Sequence, residues 1–281
     1  MQGRRVAITG VTAGIGRATA LALSARGAQL TLLNRNPQKA QELAREIEAT
    51  GAPAPRLIEM DMASLASVRA AGAELVRHTP QLDVLINNAG IVNTSRRITV
   101  DGFEETMAVY HFAPFLLTGL LLPSILQGDR PRIVNVSSDA HAFVRGMGFD
   151  DLHAEQRFRT FTQYGRSKLA NILFTRELAA RLGDQGPNVN ALHPGAVSTS
   201  LGTQNGALGR GLHKLLRPFF RTPEDGAATT LHVATDPAVD GVSGRYFANC
   251  EEVAPKPWGM DDDAGRQLWA ISEEAVSFRY G

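Results

Sequence analysis

The chain predicts an α/β fold, a doubly wound parallel sheet in a single domain spanning residues 1–281. Three observations carry that expectation. Short apolar runs bounded by turn residues alternate with amphipathic helical periods along the sequence, the pattern of successive βαβ units with right-handed crossovers. Runs such as "DVLINN" are apolar without alternation, which suits a sheet buried on both faces. The first run, ending at Thr9, enters a turn spaced Gly10-x3-Gly14-x-Gly16 and passes at once into an Ala- and Leu-rich helical pattern. Such a turn is the nucleotide-binding end of a Rossmann-type sheet, although its spacing is not the commoner G-x-G-x-x-G.

The predicted strands, in order, are Val6–Thr9, Gln29–Leu33, Arg56–Met60, Val84–Ile86, Ile133–Val136, Asn188–Leu192 and Arg245–Phe247. The predicted helices are Ile15–Arg26, Pro37–Thr50, Leu65–His78, Gly102–Leu126, Thr160–Leu182 and Pro223–Ala234.

Composition narrows the class. Lys+Arg number 29 against 28 Asp+Glu, with no block of like charge, so no nucleic-acid partner is expected. The one cysteine, Cys250, has no partner for an internal disulfide. The N-terminus "MQGRRVAITG" leads straight into the first strand with no room for a signal peptide. The longest apolar stretch, Ala113 to Leu126, is short for a bilayer and holds two prolines. These features predict a cytoplasmic protein with no integral membrane segment. No histidine, cysteine or carboxylate cluster has metal-ligand spacing, so no metal is expected and His141 and His193 are read as structural.

In a doubly wound sheet, ligands sit beyond the carboxyl ends of the strands. After the first strand, Gly10, Thr12, Gly14, Ile15 and Gly16 form the turn and helix start, where orphan N–H groups and the helix dipole suit a pyrophosphate. After the second strand come Asn34 and Arg35. An acidic residue there would hold the ribose hydroxyls of NAD; a guanidinium instead favours the 2′-phosphate of NADP. Arg35 is otherwise a solvated charge. After the third strand, Asp61 and Met62 are placed to meet an adenine, though Asp is also a helix-capping residue and Ser64 competes for that job. After the fourth comes "NNAG", where Asn88, Ala89 and Gly90 let the backbone pass close to a flat ligand. After the fifth come Ser137 and Ser138. Tyr164 and Lys168 stand four apart in a helical pattern and so share a face. A neighbouring cation is expected to lower the tyrosine pKa and make it a usable acid–base group. After the sixth come Pro194 and Gly195, then Val197 and Thr199, at a place to border the reactive ring of a cofactor.

The ordered set of glycine turn, Asp61, "NNAG", serine, Tyr-x-x-x-Lys and Pro-Gly resembles the short-chain dehydrogenase/reductase family over nearly the whole chain. The stretches "RIVNVSSDAH", "FDDLHAEQ", "YGRSKLANILFTRELAARL", "NALHPGAVSTSLG" and "GRYFANCEE" are similar to its retinol-dehydrogenase-like branch. The resemblance implies that Tyr164 exchanges the substrate proton, that Lys168 lowers the tyrosine pKa and holds the nicotinamide ribose, and that Ser138 donates to the substrate oxygen. Ser137 is then the more structural of the two serines. The implied cofactor is NADP(H), with NAD(H) less favoured, and the implied partner is a small apolar carbonyl or alcohol substrate. Homo-oligomers are also implied, since helices in the positions of Gly102–Leu126 and Thr160–Leu182 often form a family dimer interface.

Two positions depart from the family pattern. Ala13 stands where serine is usual. Tyr110, in "VYHFAPFLLT", stands where the family has an asparagine that distorts its helix so that a backbone carbonyl holds a water linked to the lysine. Loss of the amide puts that proton relay in question. A substrate-loop insertion is expected near 200–222, in "LGTQNGALGRGLHKLLRPFFRT", where leucines and phenylalanines suit an apolar pocket and Arg210, Lys214, Arg217 and Arg221 suit water. Two other readings stay open: a cofactor-binding protein with little turnover, and a pathway-specific tailoring ketoreductase, dehydratase or epimerase.

Overall fold

A computed structural model describes residues 1–195 and 222–281. The strands are β1 (Arg5–Thr9), β2 (Gln29–Asn34), β3 (Arg56–Glu59), β4 (Val84–Asn87), β5 (Arg132–Val136), β6 (Asn188–His193), β7 (Tyr246–Ala248) and β8 (Glu251–Glu252). They form one sheet in the order β3-β2-β1-β4-β5-β6-β7-β8. All neighbours are parallel except β7 and β8, which run antiparallel with Phe247 opposite Glu252. The strand order reverses between β1 and β4, where Val6 lies opposite Val84, and a cleft opens beyond the strand ends at such a switch point.

The helices are α1 (Gly14–Ala25), α2 (Pro37–Ala49), α3 (Leu65–His78), α4 (Glu105–Ile125), α5 (Thr160–Leu182), α6 (Pro223–Thr235) and α7 (Asp262–Ala275). Local chemistry starts several of them. Asn36 accepts from the Lys39 N–H at 2.9 Å with Pro37 following, and Ser64 accepts from the Ser67 N–H at 3.3 Å, both as N-cap residues do. The sheet is buried on both faces. Leu85 and Ile133 face a core built with Phe112, Phe115, Leu173 and Trp269. Ile8, Leu32, Ile86 and Val134 face the opposite core with Leu23, Ile47 and Leu231.

The structure moves several predicted ends by a residue or so and corrects the elements further in α4 and in the C-terminal part. The predicted strand Arg245–Phe247 is shifted by one residue, to Tyr246–Ala248. The short β8 and the helix α7, neither predicted, complete the C-terminal part; α7 has an amphipathic period, with Leu268, Trp269 and Ser272 on its buried face. The predicted helix Gly102–Leu126 begins at Glu105, whose preceding residue Glu104 caps it by accepting from the N–H groups of Thr106 and Met107. Finally, α4 has 21 residues, long and apolar enough to cross a membrane. The shortness of Ala113–Leu126 therefore does not exclude a span. What this helix does in the fold is fill the core: 83% of its most apolar window is buried.

Inside α4, Ala108–Phe112 forms a π turn centred on Tyr110. The helix distortion survives although asparagine is absent. The predicted substrate loop, Val197 and Thr199, and Arg210, Lys214, Arg217 and Arg221 lie outside the described residues, apart from Thr222, the loop's last residue, which caps α6 by accepting from the Asp225 N–H.

Candidate active site

Two adjoining cavities run along the carboxyl ends of β1, β2, β3 and β4. One, of about 310 Å³, is lined by Thr12, Asn34, Arg35, Lys39, Asp61 and Met62. The other, of about 220 Å³, is lined by Thr12, the Gly14–Gly16 turn, Tyr110, Tyr164, Lys168 and Pro194. Gly10 and Gly90 border both.

The shape of this cleft follows from backbone approach. Gly10 has φ +72, and a Cβ on it would lie 2.6 Å from the Cα of Ala89; only glycine lets β1's turn close on the end of β4. The Thr9 hydroxyl accepts from the N–H groups of Asn88 and Ala89 at 3.0 and 2.9 Å. The Asn88 amide donates to the carbonyls of Thr9 and Gly10 at 2.9 and 3.1 Å. Asn88 is thus a brace between two strand ends, and its amide group stands where a Cβ on Gly16 would fall. At the start of α1, residue Ala13 provides no capping side chain and no acidic residue occupies the first turn. The orphan N–H groups there retain their attraction for an anion.

At the other end of the cleft, Arg35 and Asp61 are solvent-accessible, with Nη1 to Oδ1 4.0 Å apart. Asp61 also accepts from the Ala63 N–H at 2.9 Å, while Ser64, not Asp61, caps α3. Asn34 is buried with its Oδ1 unpartnered. Lys39, a second cation in this cavity, was not anticipated; the signal was present in its spacing, one turn beyond Arg35 just inside the Asn36 cap.

The reactive side chains converge from β5, the turn after it, and α5. Ser137 is buried and donates to the Lys168 carbonyl at 2.7 Å, a structural role. Ser138 accepts from the Ala140 N–H at 3.2 Å and is hydrogen-bonded to the Tyr164 oxygen. The Lys168 ammonium donates to the Val136 carbonyl at 2.9 Å. Burial pushes its pKa down to about 7. Tyr164 departs from the expected electrostatics. Burial raises its pKa, and the groups that pull it back are the hydroxyls of Ser138 and Tyr110, not Lys168, whose nitrogen lies 5.6 Å from the tyrosine ring centre. The reason is that the lysine points at Val136 and at the face of Tyr110, 3.7 Å from that ring's centre.

The two histidines serve the scaffold around Ser138. His141 Nδ1 lies 2.9 Å from the Ser138 carbonyl, its Nε2 accepts from the Lys256 N–H, and its carbonyl accepts from Trp258. His193 Nε2 lies 3.2 Å from the Asp139 carboxylate.

The family model described as short chain dehydrogenase matches residues 4–207, the stretch that holds every element of this cleft. The chain belongs to the short-chain dehydrogenase family. Within it, the chain is retinol-dehydrogenase-like: it is 44% identical to retinol dehydrogenase 14 of Mus musculus over 98% of this chain and 86% of the relative. Among solved structures it is similar to an uncharacterised protein from Mycobacterium paratuberculosis, at 32% identity and TM-score 0.80, covering 100% of this chain and 96% of that one. It is also similar to a Shigella flexneri short chain dehydrogenase complexed with NADP, at 25% identity and TM-score 0.71, covering 89% and 98% of the two chains.

As a short-chain dehydrogenase the protein is an oxidoreductase, and the cleft places the sequence-predicted residues in two groups. Asn34, Arg35, Asp61 and Met62 gather at one end. Gly14, Ile15, Gly16, Asn88, Tyr164, Lys168 and Pro194 gather at the other, with Ser138 beside Tyr164. Thr12, Gly10 and Gly90 join them, and Ala89 lines the first cavity. Gly195 follows Pro194 directly and has φ +86. Asn171 was missed. Its amide donates to the Tyr110 carbonyl at 2.6 Å, and its place one turn after Lys168 on the same helix was the available signal.

Proposed function

We propose that this protein is an NADP(H)-preferring oxidoreductase that interconverts an apolar carbonyl compound and its alcohol, with Tyr164 as acid–base group. The observation that carries this reading is the convergence of the Ser138 and Tyr164 hydroxyls beside Lys168, at the end of a cleft that begins with uncapped helix N–H groups.

The residues fit a dinucleotide. The N-terminus of α1 would hold its pyrophosphate, and the buried, unpartnered Asn34 Oδ1 lies at the adenosine end. Arg35 and Lys39 would hold a 2′-phosphate, which outweighs the single carboxylate of Asp61 in that cavity. When bound, the nicotinamide would supply the hydride for carbonyl reduction in its reduced form and accept it from the alcohol in its oxidised form. The chain's own residues do the rest. Ser138 donates to the substrate oxygen as charge grows on it. Tyr164 gives or takes the proton at that oxygen. Lys168 stands beside the site with its pKa lowered by burial to about 7, so its charged and neutral forms are both within reach. Relatives at 37–44% identity are named retinol dehydrogenases, which supports an extended apolar alcohol or aldehyde as substrate class.

The test is a titration of NADPH and NADH against the protein, followed by NADPH oxidation with a panel of apolar aldehydes and ketones. Tight NADPH binding with turnover on apolar members supports the reading. NADPH bound without turnover on any member favours a cofactor-binding protein, the alternative opened by Tyr110 in place of asparagine. Turnover confined to one elaborate ketone favours a tailoring enzyme.

A further inference from the structure

Position 110 carries an aromatic ring inside the site, and that ring is braced at three places. Tyr110 is 3% exposed. Its hydroxyl donates to the Ile91 carbonyl at 2.8 Å. Its own carbonyl, whose α-helical partner would be the N–H that Pro114 lacks, accepts from Asn171 at 2.6 Å. On one side it rests against Gly90, where a Cβ would stand 2.4 Å from the Tyr110 hydroxyl and 2.7 Å from Cε1. Glycine at position 90 is therefore the space into which the ring is set. The ring is held at its tip, at its backbone and along its side, so its orientation is fixed by the fold.

What that orientation presents is specific. The face of the ring lies under the Lys168 ammonium at 3.7 Å from the centroid, well inside the range in which a cation is attracted by an aromatic quadrupole. The ring also packs against that of Tyr164, with ring centres 5.6 Å apart and planes at 75°, the edge-to-face arrangement that aromatic pairs prefer. Lys168 is 3% exposed. A buried ammonium without compensation is costly; here the Val136 carbonyl offers one acceptor and the Tyr110 face offers the second attraction. An asparagine at position 110 has no π face to offer.

We propose that Tyr110 is a positioning residue of the reaction site, whose ring face holds the Lys168 ammonium by a cation–π contact and whose T-shaped contact with Tyr164 sets the orientation of that tyrosine. This rests on the reading of Tyr164 and Lys168 as the reacting pair. The tyrosine thus replaces an electrostatic fixture with an aromatic one, and it acts through Lys168 and Tyr164. Among the described residues, the titratable groups that face Lys168 are Tyr110 from α4 and Tyr164 from its own helix; β5 presents the neutral Val136 carbonyl. Among the described residues burial is what drives the lysine toward its neutral form, and the ring opposes that.

The experiment reads Lys168 directly and without turnover. The chain has four lysines, Lys39, Lys168, Lys214 and Lys256, so the side-chain nitrogen spectrum of 15N-lysine-labelled, cofactor-free protein is simple, and Lys168→Arg assigns the signal by its loss. Tyr110→Phe keeps the ring and removes the hydroxyl; Tyr110→Leu keeps bulk and dryness and removes the π face. The Lys168 titration midpoint in Tyr110→Phe is expected to match wild type. In Tyr110→Leu it falls, with the protonation equilibrium shifted by about three- to thirtyfold toward the neutral amine, and the alkaline limb of kcat/KM moves to lower pH with it. Fluorinated phenylalanines at position 110 have the shape of the Tyr110→Phe ring and a weaker quadrupole, and they lower the midpoint in step with fluorination. That series keeps the test open should the leucine variant fail to fold. A midpoint that is unchanged or higher in Tyr110→Leu and indifferent to fluorination overturns the proposal and leaves the ring as packing. Absence of turnover in every variant, with the midpoint shifts present, would instead remove the catalytic reading and leave the contact standing.

Discussion

The side-chain amide of Asn171 donates to the main-chain carbonyl of Tyr110 at 2.6 Å, joining α5 to the π turn of α4. The regular helical partner of that carbonyl would be the N–H of residue 114, which is a proline, and a buried unsatisfied carbonyl is costly. Asn171→Leu keeps the volume and removes the donor. Its unfolding free energy in urea is expected to fall by about 1–3 kcal/mol. A loss below about 0.5 kcal/mol would show that the carbonyl does not depend on this amide.

Arg35 stands at the adenosine end with its side chain largely in water. Arg35→Asp places a second carboxylate near Asp61, so attraction for a 2′-phosphate becomes repulsion. NADPH affinity is expected to drop by at least tenfold while NADH affinity changes little, as each charged hydrogen bond contributes roughly 1.5–3 kcal/mol. Equal binding of NADH and NADPH by the wild type would refute the assignment of Arg35.

Tyr164→Phe removes one hydroxyl from the pair it forms with Ser138. Turnover is expected to fall by about 10²- to 10⁴-fold with NADPH affinity nearly unchanged. Lys168→Ala is expected to damage both turnover and cofactor affinity, because the ammonium lines the cavity as well as flanking the tyrosine. A Tyr164→Phe protein of near-normal rate would sink the mechanism.

His111 gives the fold an acid sensitivity. It is buried on α4, with Nε2 2.6 Å from the hydroxyl of Ser272 on α7. That hydroxyl donates to the Leu268 carbonyl, so Nε2 carries the proton and donates, and Nδ1 is buried without a partner. Burial lowers the pKa to about 3. The folded state therefore resists a proton that the unfolded chain takes up near its ordinary pKa of about 6.5. The stabilising effect is complete above that value and is lost as pH falls toward 3, at up to about 1.4 kcal/mol per pH unit. His111→Gln preserves a donor at the Nε2 position. Between pH 6 and pH 4 its unfolding free energy is expected to decline less steeply than that of wild type; parallel slopes would mean that His111 is not the sensitive group.

Much of this protein is set by local chemistry and so was legible along the chain. The spacing of Gly10, Gly14 and Gly16, the cap at Ser64, and the four-residue interval from Tyr164 to Lys168 act within one turn or one helix face. The alternation of strands and helices then determined a parallel sheet, and a parallel sheet determined which strand ends form the cleft. Only the tertiary structure decided how the side chains meet inside it. The aim of Lys168 at Val136 and the Tyr110 ring, the rise of the Tyr164 pKa, the brace from Asn171 and the core position of α4 all depend on groups far apart in sequence. The same holds for Gly90, which reads as part of a ligand-facing tetrapeptide and turns out also to be the space in which Tyr110 lies. The physical reason is burial: desolvation, close packing and cation–π attraction act on whatever the fold brings together, at distances that sequence separation does not encode.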